Sequence, residues 1–192
     1  MTNLKRALGI FLFFTCLLGL VYPLVTILIG LYLCPYQAGG SLLTIDGQVI
    51  GSSLIAQEFK SDRYFHSRPS AINYNAAASG GGNLDLGDSA LYEKTRIKIK
   101  DMIEKNGIPS RSKIPSDMVF SSASGLDPHI SMGNALLQMP RIVKVRNLSK
   151  KIIRNLINEC FDTDFVGIWG VGGINVLRLN LALDNFGKKI HD

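Results

Sequence analysis

The chain has 192 residues, 46% hydrophobic and 19% charged, with 21 Lys+Arg against 15 Asp+Glu for a formal charge of +6. The length fits one domain plus an extra segment, and the apolar content excludes a disordered chain. Three cysteines without a C-x-x-C pair exclude a disulfide scaffold and a cysteine zinc site.

The apolar surplus lies at the N-terminal end. Residues Ala7 to Leu33 carry no charge. Such a run makes about 40 Å of helix at ~1.5 Å per residue, enough for a ~30 Å hydrocarbon core with some tilt. Lys5 and Arg6 flank it on one side, and no charge follows until Asp46. The positive-inside rule then predicts a cytoplasmic N-terminus and an extracytoplasmic chain after about residue 34. Tyr32 and Tyr36 fall where an interfacial belt would be. A cleaved signal peptide has an apolar core of ~7–15 residues and a small-x-small site. This run is longer and has no such site, so it reads as an uncleaved anchor. Thr15, Gly19, Tyr22, Thr26 and Gly30 share one helix face. That face suits packing on another membrane helix, although small residues are common in any such span. Pro23 is expected to kink the helix.

Residues 35–192 read as one domain with 19 basic and 15 acidic residues, an ordinary solvated balance of +4. Leu42–Ile45 and Gln48–Ile50 flank Asp46-Gly47, a hairpin-turn signal. Gly51 to Phe59 is expected as a short helix, and His66 to Gly87 as loop. Asp88 caps a predicted helix ending at about Asn106, stopped by Gly107 and Pro109. Its buried stripe is Leu91, Thr95, Ile99 and Met102. Met118 to Ser121 reads as a strand. Ser131 caps a helix carrying Ala135, Met139, Ile142 and Val143, with a break or kink at Pro140. Ser149 caps another through Ile152, Ile153, Leu156 and Ile157. Leu177, Leu179, Leu181 and Leu183 alternate with other residues, a strand signature at least initially; the later half can also turn helical. The fold class is a single N-terminal transmembrane helix, within residues 1–34, followed by a mixed α/β extracytoplasmic domain, residues 35–192.

Candidate chemistry is sparse. His66, His129 and His191 lack close metal-ligand spacing. Ser124, Asp127 and His129 are the types of a nucleophile, its orienter and its base, but so few intervening residues more commonly build a turn. Ser110-Arg111-Ser112-Lys113 matches S-x-x-K without the partner motifs of penicillin-binding enzymes. Gly80-Gly81-Gly82-Asn83 lacks the Lys-Ser/Thr of a P-loop and reads as surface loop. Arg141, Lys144, Arg146, Lys150, Lys151 and Arg154 have no acid among them; they suit a solvated face or an acidic partner. In Ser124-Gly125-Leu126-Asp127-Pro128-His129-Ile130-Ser131, glycine, proline, a turn-bonding Asp and a capping Ser over-determine a corner.

That last block strongly resembles the C subunit of Kdp-type potassium-transporting P-type ATPases, the KdpC family. The resemblance runs nearly end to end. It includes Tyr22-Pro23, Gln37-Ala38, Gly40-Ser41-Leu42, Gly51-Ser52, Leu54-Ile55, Gln57 to Phe59, Tyr64-Phe65 and Arg68-Pro69-Ser70. It continues through Pro115-x-Asp117, Gln138, Arg141, Arg146, Asn175-Val176-Leu177 and Leu179-Asn180. The departures are Gly39 for a usual Asn, Ala56 for Gly, Gly82 for Ser, and Val171-Gly172-Gly173 for a Glu-Pro-Arg-like stretch.

The resemblance implies an accessory subunit of a high-affinity, ATP-driven potassium uptake complex in the bacterial inner (plasma) membrane, with a periplasmic domain. Its partners would be the P-type ATPase catalytic subunit and a potassium-channel-like subunit, with membrane lipid and no nucleic acid. The family is described as a catalytic chaperone that raises the ATP affinity of the hydrolysing subunit. No Asp here is followed by Lys, so the P-type phosphorylation loop is missing, and no Thr-Val-Gly-Tyr-Gly-like filter is present. The expectation is therefore a chain with no catalytic or metal residues and no stably bound cofactor, meeting ATP only through the complex. Arg68, Asn83, Ser124, Gly125, Asp127, Pro128, His129, Ser131, Gln138, Arg141, Asn175 and Asn180 are the candidates for the motif or partner docking. The alternatives are a membrane-anchored hydrolase and an extracytoplasmic small-ligand-binding protein.

Overall fold

The computed structural model describes residues 2–85, 87–109, 112–162 and 172–191. Ser110, Arg111 and Val171, singled out above, lie outside the described residues. Contacts divide the chain into two units, Met1–Ser52 and Ser53–Asp192, whereas the sequence reading ends the anchor at residue 34.

In the first unit, helix α1 (Thr2–Cys16) passes through a π-helical turn (Leu17–Val21) into α2 (Tyr22–Leu33). The result is one helical run of 32 residues with mean hydropathy 2.4. It is a single transmembrane helix whose large apolar side chains are exposed for lipid. The π turn sits where a kink was expected. Tyr22 N–H donates to Leu17 O, an i→i+5 bond. The widened turn directly before Pro23 relieves the clash that proline imposes on the carbonyl four residues earlier. Thr15 Oγ1 donates to Phe11 O at 2.8 Å, and Thr26 Oγ1 to Pro23 O at 2.9 Å. These hydroxyls are satisfied inside their own helix, which an apolar solvent demands.

A short helix α3 (Pro35–Ala38) leads into an antiparallel hairpin of β1 (Leu42–Ile45) and β2 (Gln48–Ser52). Asp46 and Gly47 both have positive φ, 49° and 78°. That is the type I′ geometry the Asp-Gly pair predicts.

In the second unit, residues 53–88 carry no helix or strand among those described. The expected helix over Gly51–Phe59 does not form. Asn175 Nδ2 donates to Ser53 O at 2.8 Å and Ala56 N–H donates to Leu126 O at 2.8 Å. Distant partners thus take backbone groups that a helix would use. Helix α4 (Ser89–Asn106) follows, ended by Gly107 at φ 62°. Leu91, Thr95, Ile99 and Met102 are half-buried along it.

Met118–Ser121 is not a strand. A one-turn helix α5 (Ser116–Val119) begins after Pro115 and buries Met118 and Val119. They pack with Ile108, Ile99, Met102 and Ile103 in a small cluster, and that burial outweighs the β-propensity of the segment.

The main core is built on a three-stranded antiparallel sheet in the order β3 (His129–Ile130), β5 (Gly173–Asn175), β4 (Phe161–Asp162). Ile174 pairs with Ile130 on one side and Phe161 on the other. Helices α6 (Met132–Arg146), α7 (Lys150–Glu159) and α8 (Val176–His191) pack around it. Ser131 Oγ accepts from Asn134 N–H and Ser149 Oγ from Ile152 N–H, as N-caps. The α6 assignment runs unbroken through Pro140, which is exposed. The alternating tail is helix α8, not a strand beyond Asn175. Val176, Leu179, Asn180 and Leu183 are all buried, at the i, i+3, i+4, i+7 spacing of one helix face.

Candidate functional site

The 124–131 corner is pinned from three sides. Gly125 has φ 69°; a Cβ there would stand 2.7 Å from Ile72 Cγ1 and 2.9 Å from Gly80 O. Only glycine fits. Gly80 N–H donates to Ser124 O at 3.0 Å, joining the Gly80–Asn83 loop to the corner. Asp127 Oδ2 accepts from Arg68 Nη1 at 2.9 Å, and Asp127 Oδ1 accepts from His129 N–H at 3.0 Å. The neighbouring His129 and the Arg68 guanidinium hold the Asp127 carboxyl below the usual carboxylate range, against the opposing pull of burial. Ser131 donates its N–H and Oγ–H to the Asp117 carboxylate at 2.8 and 2.9 Å, and Asn134 Nδ2 adds a third bond at 3.0 Å. Pro128 O accepts from Val176 N–H at 3.0 Å, tying the corner to the start of α8.

The three residues with a hydrolase's side-chain types do not assemble one. Ser124 Oγ accepts from Leu126 N–H and lies 3.4 Å from Ser122 Oγ. The His129 ring stands between two carboxylates, 3.7 Å from both Asp127 and Asp162. Asp162 is also 3.8 Å from Arg178. Arg68, Asp127, His129, Asp162 and Arg178 thus form a chain of alternating charge, with the imidazole as a cation when protonated.

Apart from Asn83, the remaining candidates face inward. Gln138 and Asn180 are buried and bond the backbone of His66 and Phe65. Arg141, 6% exposed, donates to Asn106 Oδ1, Tyr64 O, Asp62 O and Gln138 Oε1. Burial pushes its guanidinium pKa down, and four neutral acceptors stand in for water around the charge. Asn175 caps α8, its Oδ1 accepting from Arg178 N–H at 3.1 Å. These are the residues that hold the irregular 53–88 segment against the helices. Asn83 is exposed, with φ 44°.

Sequence reasoning missed Tyr64, Asp184 and the role of Asp117. Tyr64 OH donates to Asp184 Oδ2 at 2.9 Å, and Arg146 reaches Asp184 Oδ1 at 2.7 Å while lying over the Tyr64 ring. The hydrogen bond to Asp184 and burial raise the Tyr64 phenol pKa. Two clefts adjoin the corner. One, of about 590 Å³, is lined by Leu54, Ile55, Arg68, Leu126, Asp127 and Pro128 among others. The other, of about 330 Å³, lies between Gly81–Leu84, the Leu91–Lys98 face of α4 and Val119–Ala123.

Comparison with known proteins places the chain in a family. The family model described as K+-transporting ATPase, c chain, matches residues 4–185. The chain belongs to the KdpC family. Among its relatives is the potassium-transporting ATPase KdpC subunit of Caldanaerobacter subterraneus subsp. tengcongensis, 44% identical over 94% of each chain. The KdpC subunit of Mycobacterium tuberculosis is 43% identical, covering 95% of this chain and 97% of its own. That of Rhodopseudomonas palustris is 42% identical over 97% and 98%. As a KdpC subunit the chain is part of a potassium-transporting ATPase. The corner, the Gln138–Arg141 pair and Asn175–Asn180 all fall inside the matched region.

Proposed function

We propose that this chain is a non-catalytic accessory subunit that holds together the potassium uptake complex, with its domain outside the cytoplasm. Lys5 and Arg6 before the apolar run, and no charge after Arg6 until Asp46, support that orientation. The Thr15–Gly30 face of the membrane helix packs on a partner helix, and the corner docks on the channel-like subunit. Any effect on ATP affinity is then indirect, since coupling across the bilayer requires a partner with two states that this chain binds unequally.

One observation carries this reading. The 124–131 corner is fixed by bonds from Arg68, Asp117 and the Gly80 loop, and beside it opens the cleft lined by Leu54, Ile55, Leu126 and Pro128. A rigid, partly apolar surface loses little entropy on docking. Leu54 is 58% exposed there.

The test is co-purification of the complex in mild detergent through a tag on this chain. Leu54→Glu should release the partner subunits, while Tyr92→Glu, on an exposed position of α4, should leave the complex whole. A stoichiometric complex with Leu54→Glu would overturn the docking surface. The ATPase KM for ATP, compared with and without this chain, tests the indirect coupling.

A further inference from the structure

The corner between α6 and α7 has a charge pattern that the fold does not use. Residues 128–158 contain six bases and no acid. Two of the six are internally engaged: Arg141 is buried among acceptors and Arg146 is paired with Asp184. The other four, Lys144, Lys150, Lys151 and Arg154, are exposed and make no ion pair among the described residues. Helix α4 also carries exposed bases, but it intersperses them with Glu93, Asp101 and Glu104 and pairs Lys100 with Glu104 and Lys105 with Asp101. Lys150 and Lys151 also occupy the first turn of α7, which carries no acid. Cations there oppose the helix dipole, so stability does not account for them. Val145, 45% exposed, adds an apolar side chain beside Lys144. The nearest acid along α7 is Glu159, at its far end.

We propose that this corner docks on the anionic headgroups of the bilayer surface. The chain itself supplies the reason for that partner, because the domain is covalently joined to a helix that spans the membrane, so it stays within reach of headgroups. A cluster of cations with an apolar side chain among them complements such a surface. The corner lies at the opposite end of α6 from the 124–131 block, about 20 Å away at ~1.5 Å per residue. One helix therefore presents a protein-docking end and a lipid-docking end. The inference stands on charge placement and the membrane tether, and it survives if the protein-docking surface proposed above lies elsewhere.

The experiment uses the full chain in nanodiscs of phosphatidylcholine, with and without phosphatidylglycerol. Lysine acetylation is followed by mass spectrometry, with Lys94 and Lys98 as internal references. Lys144, Lys150 and Lys151 should be acetylated about five-fold or more slowly in the anionic discs, matching the gain expected for one cation at such a surface, and high salt should abolish the difference. Lys150→Gln/Lys151→Gln, on exposed positions, should remove the protection of Lys144 while the circular dichroism stays unchanged. Equal acetylation in both discs would overturn the proposal. So would protection that arises only when the other subunits are present, which would assign the corner to an acidic protein surface.

Discussion

Gln138 on α6 and Asn180 on α8 grip adjacent peptide units of the same irregular segment. Gln138 accepts from His66 N–H at 2.8 Å and donates to His66 O at 3.0 Å. Asn180 accepts from Phe65 N–H at 2.8 Å and donates to Phe65 O at 2.9 Å. Each carboxamide acts as a strand partner would, satisfying both backbone groups of one residue. Phe65 is thereby held fully buried in the core beside Ile130 and Ile174, with these carboxamides in place of a paired strand.

Replacing Asn180 with Leu keeps a similar volume and orphans both groups of Phe65. An unsatisfied buried group costs about 1–3 kcal/mol. At roughly 2–4 °C per kcal/mol for a chain of this size, the domain should melt several degrees lower. Gln138→Leu should cost more, because it also strips a partner from Arg141 and Asn134. Thermal unfolding of the full chain in detergent, followed by circular dichroism, reads both. A melting temperature unchanged by Asn180→Leu would show that these bonds contribute nothing net.

What the sequence displayed was what local chemistry decides. The Asp46-Gly47 turn, the Ser131 and Ser149 caps and the Gly107 stop each depend on residues within a few positions, and each forms where predicted. The tail was ambiguous because leucine at every second position also fits a helix when Val176 and Asn180 are buried. A polar residue on the core face hides the helical period. The candidate residues stand out by motif, but their contacts are illegible in the sequence. Asn180 and Phe65 are 115 positions apart, and Gln138 and His66 are 72 apart. No periodicity records such pairings.

Gly125 and Gly107 separate backbone strain from crowding. Both have positive φ, 69° and 62°. At Gly107 an added Cβ meets nothing within 4 Å, whereas at Gly125 it meets Ile72 Cγ1 and the Gly80 carbonyl. Gly107→Ala should cost only the left-handed backbone, about 1–2 kcal/mol. Gly125→Ala should cost clearly more, since Gly80 is itself bonded to Ser124 and has little room to retreat. Adding Ile72→Ala should relieve only the side-chain part. Equal melting temperatures for the two alanine variants would contradict the crowding.

His66 makes stability fall on mild acidification. Burial first, and the Arg141 charge second, lower its pKa below the ordinary 6.5. Its Nε2 sits 3.2 Å from Ser61 O, a bond that opposes the shift without reversing it. As pH drops below about 6.5, the unfolded chain takes up a proton that the folded one resists. Stability is then lost progressively until the folded pKa is passed, and above pH 6.5 the effect vanishes. Denaturant unfolding between pH 7.5 and 5 should show this slope in the native chain and a flatter one in His66→Gln. Identical slopes would remove His66 as the cause.

Asp127 tests whether the corner serves assembly or transport itself. Its carboxylate joins Arg68 and the His129 backbone, and the buried Arg68 Nε has no partner among the described residues. Asp127→Ala therefore leaves a half-buried guanidinium with still fewer acceptors, a change that destabilises more than removing both charges together. Stability should drop, and the fraction of intact complex recovered in mild detergent should drop with it. Arg68→Met/Asp127→Ala should recover part of the loss in thermal stability. Because the lowered carboxyl pKa keeps Asp127 ionised down through the ordinary carboxylate range, its contribution is present above about pH 4 and disappears only as pH falls through the folded value. On the proposed docking role, the complexes that still assemble should keep the native potassium-over-sodium preference in transport assays. Full assembly of the Asp127→Ala complex with an altered ion preference would reverse that assignment and put the corner on the ion path.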